Sequence, residues 1–142
     1  MSVATILKEK GTEVATAPAE TTLAEIARTL HQRRIGAVVI TGPGGTIEGI
    51  VSERDIVSGI AKAGPEMLAR PAGEVMTRDV HTCDPGDSIY EIMNVMTDQR
   101  IRHLPVVVEG KLSGIVSIGD VVKQRIAEVE YEADEMKRYI GG

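Results

Sequence analysis

Two strings in this chain set a hydroxyl and a carboxylate at the same spacing. Ser52 and Asp55 stand in "GIVSERDIV", Gly49 to Val57, and Ser117 and Asp120 stand in "GIVSIGDVV", Gly114 to Val122. One use of Ser-x-x-Asp is architectural. A serine at the start of a helix accepts a backbone N–H, and an acidic residue three positions on reaches back to the serine's own N–H. The other use is chemical. A strand that ends at serine and turns into a helix leaves free N–H groups at its corner, and these favour anions. The hydroxyl can bond a phosphate or a sugar oxygen. The carboxylate accepts only, so it suits the adjacent hydroxyls of a ribose and repels a phosphate placed directly on it. The spacing serves both uses, and one corner can do both.

Other chemistry finds little support. His31, His81 and His103 are scattered and Cys83 is the single cysteine, so the chain shows no zinc pattern and can form no internal disulfide. Cys83 reads as a small buried residue. "TGPGGT", Thr41 to Thr46, lacks the Gly-Lys-Ser/Thr ending of a phosphate-binding loop and reads as a turn. No Gly-x-Ser-x-Gly elbow and no nucleophile with its base is visible, and no enzyme is expected. A net charge of −5 with no Trp, no Phe and three Tyr argues against binding nucleic acid or anionic membranes, by charge or by base stacking. No stretch approaches the roughly 20 apolar residues of a membrane span. "MSVATILKEK" has no leader pattern, and a cytoplasmic protein is the expectation.

The elements that hold the two corners are written twice. At an offset of 66, Val14 and Thr16 fall on Val80 and Thr82, Leu23, Glu25 and Ile26 on Ile89, Glu91 and Ile92, and Arg34 and Ile35 on Arg100 and Ile101. At "GIVS" the offset drops to 65, so the first copy has one more residue, in its Gly-rich turn, where loops absorb insertions. Each copy opens on a short β-branched segment ("EVAT", "DVHT"). A helix follows, with Leu23, Ile26, Ala27 and Leu30 mirrored by Ile89, Ile92, Met93 and Met96 at i, i+3, i+4, i+7. Thr22 and Ser88, or the residue before each, are its N-caps. Then come two strands joined by a turn ("AVVI" and "IEGIVS"; "LPVVV" and "LSGIVS") and a second helix. The unit is β-α-β-β-α, about 60 residues, too small to be comfortable alone. Two units packed sheet to sheet about a pseudo-twofold axis share a core, which makes the fold class α/β (α+β). "AGPEMLARPAGE", Ala63 to Glu74, is the linker, with Pro65 and Pro71 opposing a continuous helix. The chain thus divides into a first repeat at 1–63, a linker at 64–74, and a second repeat at 75–142 with the C-terminal helix.

"RRIGAVVI…GIVSERDIV" followed by "RIRHLPVVV…GIVSIGDVV" resembles a pair of CBS domains (a Bateman module), from about Ile6 to Tyr139, and most resembles the small stand-alone bacterial proteins of that kind. The resemblance implies regulatory binding of an adenine nucleotide in clefts between the repeats: AMP first, with NAD, ADP and ATP as alternatives. It carries ribose and phosphate contacts onto Ser52, Asp55, Ser117 and Asp120. Cations for the phosphate are Arg54 in the first motif and, because the second has Ile118-Gly119 there, Arg102 and His103 before "LPVVV". The first repeat has Gly36-Ala37 at that place, so the Ser117/Asp120 site with Arg102 and His103 is expected to be the better anion site. Solvated charges, or ion pairs with Glu53 or Asp98, are the alternative for the arginines, and a core or surface position for His103. By the same resemblance the adenine lies between aliphatic residues, Ile35, Gly36 and Ala37 in one cleft and Leu104 and Pro105 in the other. Thr16 and Thr82 are polar contacts or simply strand-end turn caps.

The tail adds a helix. Val121 to Ile140 has no Gly or Pro, and apolar residues recur at Val122, Ile126, Val129, Ala133, Met136 and Ile140. The 4-3-4-3-4 spacing is a heptad seam, read either as a helix on its own domain or as a homodimer contact, the latter matching the habit of similar CBS pairs. The expected function is a nucleotide-sensing regulatory module acting on an unnamed partner protein, and the rival is a structural adaptor with empty clefts.

Overall fold

The computed structural model describes residues 1–141. The elements in order are α1 (Val3–Lys10), β1 (Thr16–Ala17), α2 (Leu23–Arg33), β2 (Ala37–Thr41), β3 (Ile47–Ser52), α3 (Glu53–Ala63), α4 (Ile89–Gln99), β4 (His103–Val108), β5 (Lys111–Ser117) and α5 (Ile118–Gly141). Short helical turns fill Pro65–Ala69 and Ala72–Glu74. The two helices expected at Leu23 and Ile89 start where the caps say: Thr22 Oγ1 accepts from the Glu25 N–H at 3.3 Å and Ser88 Oγ from the Glu91 N–H at 3.0 Å. Both end on an arginine in the left-handed region, Arg34 and Arg100.

Each repeat builds its own antiparallel hairpin, in equivalent registers: Ala37 opposite Ser52 in the first, His103 opposite Ser117 in the second. "TGPGGT" is a turn, with Gly44 and Gly45 at positive φ, a conformation that suits residues without a Cβ. Its counterpart closes on Glu109 and Gly110, both at positive φ. That is the pair of angles a tight two-residue hairpin needs. The opening β-branched segments form less strand than the pattern predicts. The first pairs only at Thr16 and Ala17, parallel to β2, and the second reduces to a single bridge from Cys83 to Val106.

Two apolar clusters result. One gathers Leu23, Ile26, Leu30, Val38, Ile40 and Val51, and the other Ile89, Ile92, Met96, Leu104, Val106 and Val116. Val39 and Pro105 point to the opposite faces of their strands and are buried too. Both faces of each hairpin are therefore covered, as sheet-to-sheet packing requires.

The packing does not follow the chain's division at 63, 64–74 and 75. Val3, Ile6 and Leu7 of α1 belong to the second cluster, although they stand at the start of the first repeat. Met67, Ala72 and Met76, in and after the linker, belong to the first. Main-chain bonds mirror this exchange. Val3 and Ala4 donate to Asp87 and Pro85, while Leu23 donates to Arg70 and Ala72 to Thr21. Each repeat is completed by the segment that runs just before the other, because a repeat of about 60 residues cannot cover its own sheet.

Candidate functional site

Both Ser-x-x-Asp strings are complete capping boxes. Ser52 Oγ accepts the Asp55 N–H at 3.2 Å and the Ser52 N–H donates to Asp55 Oδ2 at 2.9 Å. Ser117 and Asp120 repeat the pair at 3.2 and 2.9 Å. The architectural use is thus satisfied in each, and the serine N–H is accepted by the aspartate Oδ2, which leaves Oδ1 of Asp55 for another partner.

The surroundings differ. The first corner opens into a cavity of about 240 Å³ lined by Gly36, Ile50, Ser52, Glu53, Arg54, Asp55, Thr77, Asp79, Val80, His81, Arg100, Ile101, Arg102 and His103. It lies between the repeats and takes residues from both. The second corner meets a space of only about 100 Å³, lined by Ile6, Glu9, Lys10, Asp120, Lys123 and Gln124. There Lys10 Nζ lies 2.7 Å from Asp120 Oδ2 and 3.1 Å from the Ile115 carbonyl oxygen. Gln124, 5% exposed, donates to Glu9 Oε2 at 2.6 Å and ties α5 to α1.

This arrangement corrects one expectation. Arg102 and His103 were expected to serve Ser117 and Asp120, yet they line the cavity of Ser52 and Asp55. The reason lies in how the hairpins meet. His103 pairs with Ser117 through its main chain, but its imidazole lies against Gly36 across the repeat boundary. A Cβ on Gly36 would stand 2.7 Å from His103 Nε2, so a glycine at 36 is what admits the ring. The cation at the second corner is Lys10, from a helix that sequence assigned to the other repeat.

Of the remaining expected residues, Ser52, Arg54, Asp55 and Gly36 line the larger cavity with Arg102 and His103. Ala37, Leu104 and Pro105 are buried, Ile35 is half-buried against the first core, and Thr16 and Thr82 are exposed. None of these six lines either space. Arg100, Thr77, Asp79, Val80 and His81 line the cavity without having been singled out. Arg100 carried a signal, as it repeats Arg34. Asp79 to His81 belong to "DVHT", which the pattern reads as the opening β-branched segment of the second repeat. The stretch from Thr77 to His81 instead bridges the repeats: Thr77 exchanges two 3.0 Å main-chain bonds with Ile50 of the first hairpin, and Cys83 bonds Pro105 and Val107 of the second. The chain between them must cross the gap, and so it walls the cavity.

The electrostatics follow from burial. The His103 pKa is lowered mainly by desolvation, with Lys10 and Arg102 lowering it further and Glu53 and Asp120 working against them. Burial works to raise the Asp120 pKa, but the Lys10 and Ser117 hydrogen bonds and the Lys10 charge outweigh it, and the net shift is downward. Burial, with Asp87 and Asp84, pushes the Cys83 thiol up to about 12, so it is not a ready nucleophile. Among the described residues no group of three or more His, Cys, Asp or Glu could hold a metal ion, and no helix is long and apolar enough to cross a membrane.

The CBS domain profile matches residues 7–62 and 72–126. A mitochondrial CBS domain-containing protein of Arabidopsis thaliana is 34% identical over 125 residues, 85% of this chain. The chain spans 61% of that relative's length. A crystal structure of a CBS-domain containing protein from Agrobacterium tumefaciens superposes with a TM-score of 0.85 at 41% identity, covering 88% of this chain and 99% of that one. A CBS domain protein of Pyrobaculum aerophilum, solved in complex with AMP, superposes at 0.75 with 28% identity over 84% of this chain and 89% of that one. The chain belongs to the CBS domain family and carries two copies of the domain, folded together as a pair.

Proposed function

We propose that this chain is a non-catalytic regulatory module that binds an adenine nucleotide, AMP in first place, in the cavity between its repeats. The observation that carries the reading is the make-up of that cavity. It sets Ser52 and Asp55 of one repeat beside Arg100 and Arg102 of the other, with Arg54 alongside. A carboxylate with an oxygen to spare suits ribose hydroxyls, and guanidinium groups suit phosphate. At about 240 Å³, the space falls slightly below the roughly 300–1,000 Å³ common for small-molecule pockets. That favours a mononucleotide over NAD, and one phosphate over the three of ATP. The AMP complex of the Pyrobaculum relative supports the same ligand class.

A ligand that touches both repeats favours whichever relative arrangement it fits better, and the shift is bounded by its differential affinity. The readers of that shift are a target protein and a second copy of this chain, in the cytoplasm. A second copy is favoured by α5: from Val129 onward every described residue of that helix is exposed, with Ile126 54% and Met136 61% open. The structural-adaptor reading is favoured by the completed capping boxes, which need no ligand. Thermal unfolding with AMP separates the two. At 100 times the dissociation constant the ligand adds about 2.7 kcal/mol, and no stabilisation by AMP, ADP, ATP or NAD favours the adaptor instead.

A further inference from the structure

The two Ser-x-x-Asp corners are alike in sequence and in capping geometry, and they differ in what leans on them. At the first, the strand edge at Ile50 is closed by neutral main chain: Thr77 gives one N–H and takes another, both at 3.0 Å. Ile115 holds the equivalent place in the second repeat, 65 residues on. Its carbonyl oxygen instead accepts from the Lys10 ammonium at 3.1 Å, and the same ammonium lies 2.7 Å from Asp120 Oδ2. The covering segments are matched in position. Met76 lies on Gly49, where a Cβ would stand 2.7 Å from its Cγ, and Leu7 lies on Gly114, where a Cβ would stand 2.7 Å from its Cδ2. Three residues past Leu7 a helix is still running, and its last residue delivers a cation.

We infer that Lys10 is a built-in occupant of the Ser117/Asp120 corner, so that the chain offers one nucleotide cleft and keeps the second closed by its own N-terminal helix. The inference rests on the reading that the Ser52/Asp55 corner takes a ribose. A carboxylate already paired with an ammonium presents no net charge, and Asp120 Oδ2 is shared between the Ser117 N–H and Lys10. The space beside Asp120, about 100 Å³, lies between α1 and α5 and takes no residue of the first hairpin, whereas the cavity of about 240 Å³ at the other corner takes residues from both repeats. The occupant is held in place from behind, because Val3, Ile6 and Leu7 are buried in the second core and Glu9 is bonded to Gln124. Lys10 does not stand in for a missing phosphate cation: it is paired with the Asp120 carboxylate itself.

Isothermal titration with AMP tests this on five proteins: the wild type, Lys10→Ala, Lys10→Gln, Asp55→Asn, and the Lys10→Ala/Asp55→Asn double variant. The expected result is one site per chain in the wild type and two in Lys10→Ala, the second within about tenfold of the first. Asp55→Asn should lose the wild-type site by at least tenfold, and the double variant should regain one site, now at the second corner. Lys10→Gln, which can still donate to the Ile115 carbonyl but cannot form the ion pair, should also show two sites. Circular dichroism confirms that each variant is folded. Two sites in the wild type, or one site in both folded Lys10 variants, overturns the inference and leaves the nucleotide reading standing. No binding in any of the proteins overturns both.

Discussion

Asp55 spends one carboxylate oxygen on the Ser52 main chain and faces the cavity with the other available, which is how a capping box can also hold a sugar. Asp55→Asn keeps the shape and an acceptor for the Ser52 N–H while removing the charge. It should weaken AMP by about 1.5–3 kcal/mol, the range for hydrogen bonds to charged groups, and change unfolding stability by less than about 1 kcal/mol. Urea unfolding and calorimetric titration on one preparation measure the two effects. Loss of stability with unchanged affinity would make Asp55 a cap only. His103 adds a pH dependence. Its folded pKa lies below 6.5 through burial, so between that value and 6.5 the unfolded chain binds a proton that the folded chain refuses. Stability then rises with pH through that window. The contribution is fully present above pH 6.5 and is lost as the pH falls towards the folded pKa. The urea midpoint of the wild type should therefore fall relative to that of His103→Gln as the pH drops from 7.5 to 5.5, and parallel curves would contradict the assignment. Gly36 makes room for the same ring. Gly36→Ala should cost about 1–3 kcal/mol by overpacking, and much less in a His103→Ala background, which a double-mutant cycle in urea would read.

At the scale of elements, the helices and hairpins were legible because their signals are local. The i, i+3, i+4, i+7 rows at Leu23 and Ile89, the caps at Thr22 and Ser88, and the Gly-bearing turns each act within a few residues. The repeat made each element visible twice. What the sequence did not disclose is the exchange of covering segments. Nothing in "VATILKEK" says which of two similar sheets it will cover, since its apolar face suits either, and the choice is made by Val3, Ile6 and Leu7 meeting the second core. The misplacement of Arg102 and His103 has the same origin: main-chain register puts them beside Ser117, and only the crossing of two hairpins turns their side chains to Ser52. The α1 docking is itself open to test. Ile6 is 2% exposed in the second core, so Ile6→Ala should cost about 2–5 kcal/mol. A urea midpoint within a few tenths of a kcal/mol of wild type would place α1 off the body of the protein.

For the whole molecule, the pseudo-twofold repeat makes one cavity out of two surfaces, and the C-terminal helix carries an apolar seam beyond it. Val122, Ile126, Val129, Met136 and Ile140 are exposed along α5 at the heptad spacing read from the sequence. If a second copy covers that seam, Ile126→Glu should shift the light-scattering mass at micromolar concentration from two chains to one while leaving the helical content intact. A wild type that is already monomeric would remove the dimer. The account stands or falls on the cavity between the repeats, and calorimetric titration of the purified wild-type protein with AMP addresses it most directly. The account predicts saturable binding that weakens roughly 10- to 150-fold in Asp55→Asn. The absence of measurable heat at millimolar AMP, or equal affinity in the two proteins, would contradict it.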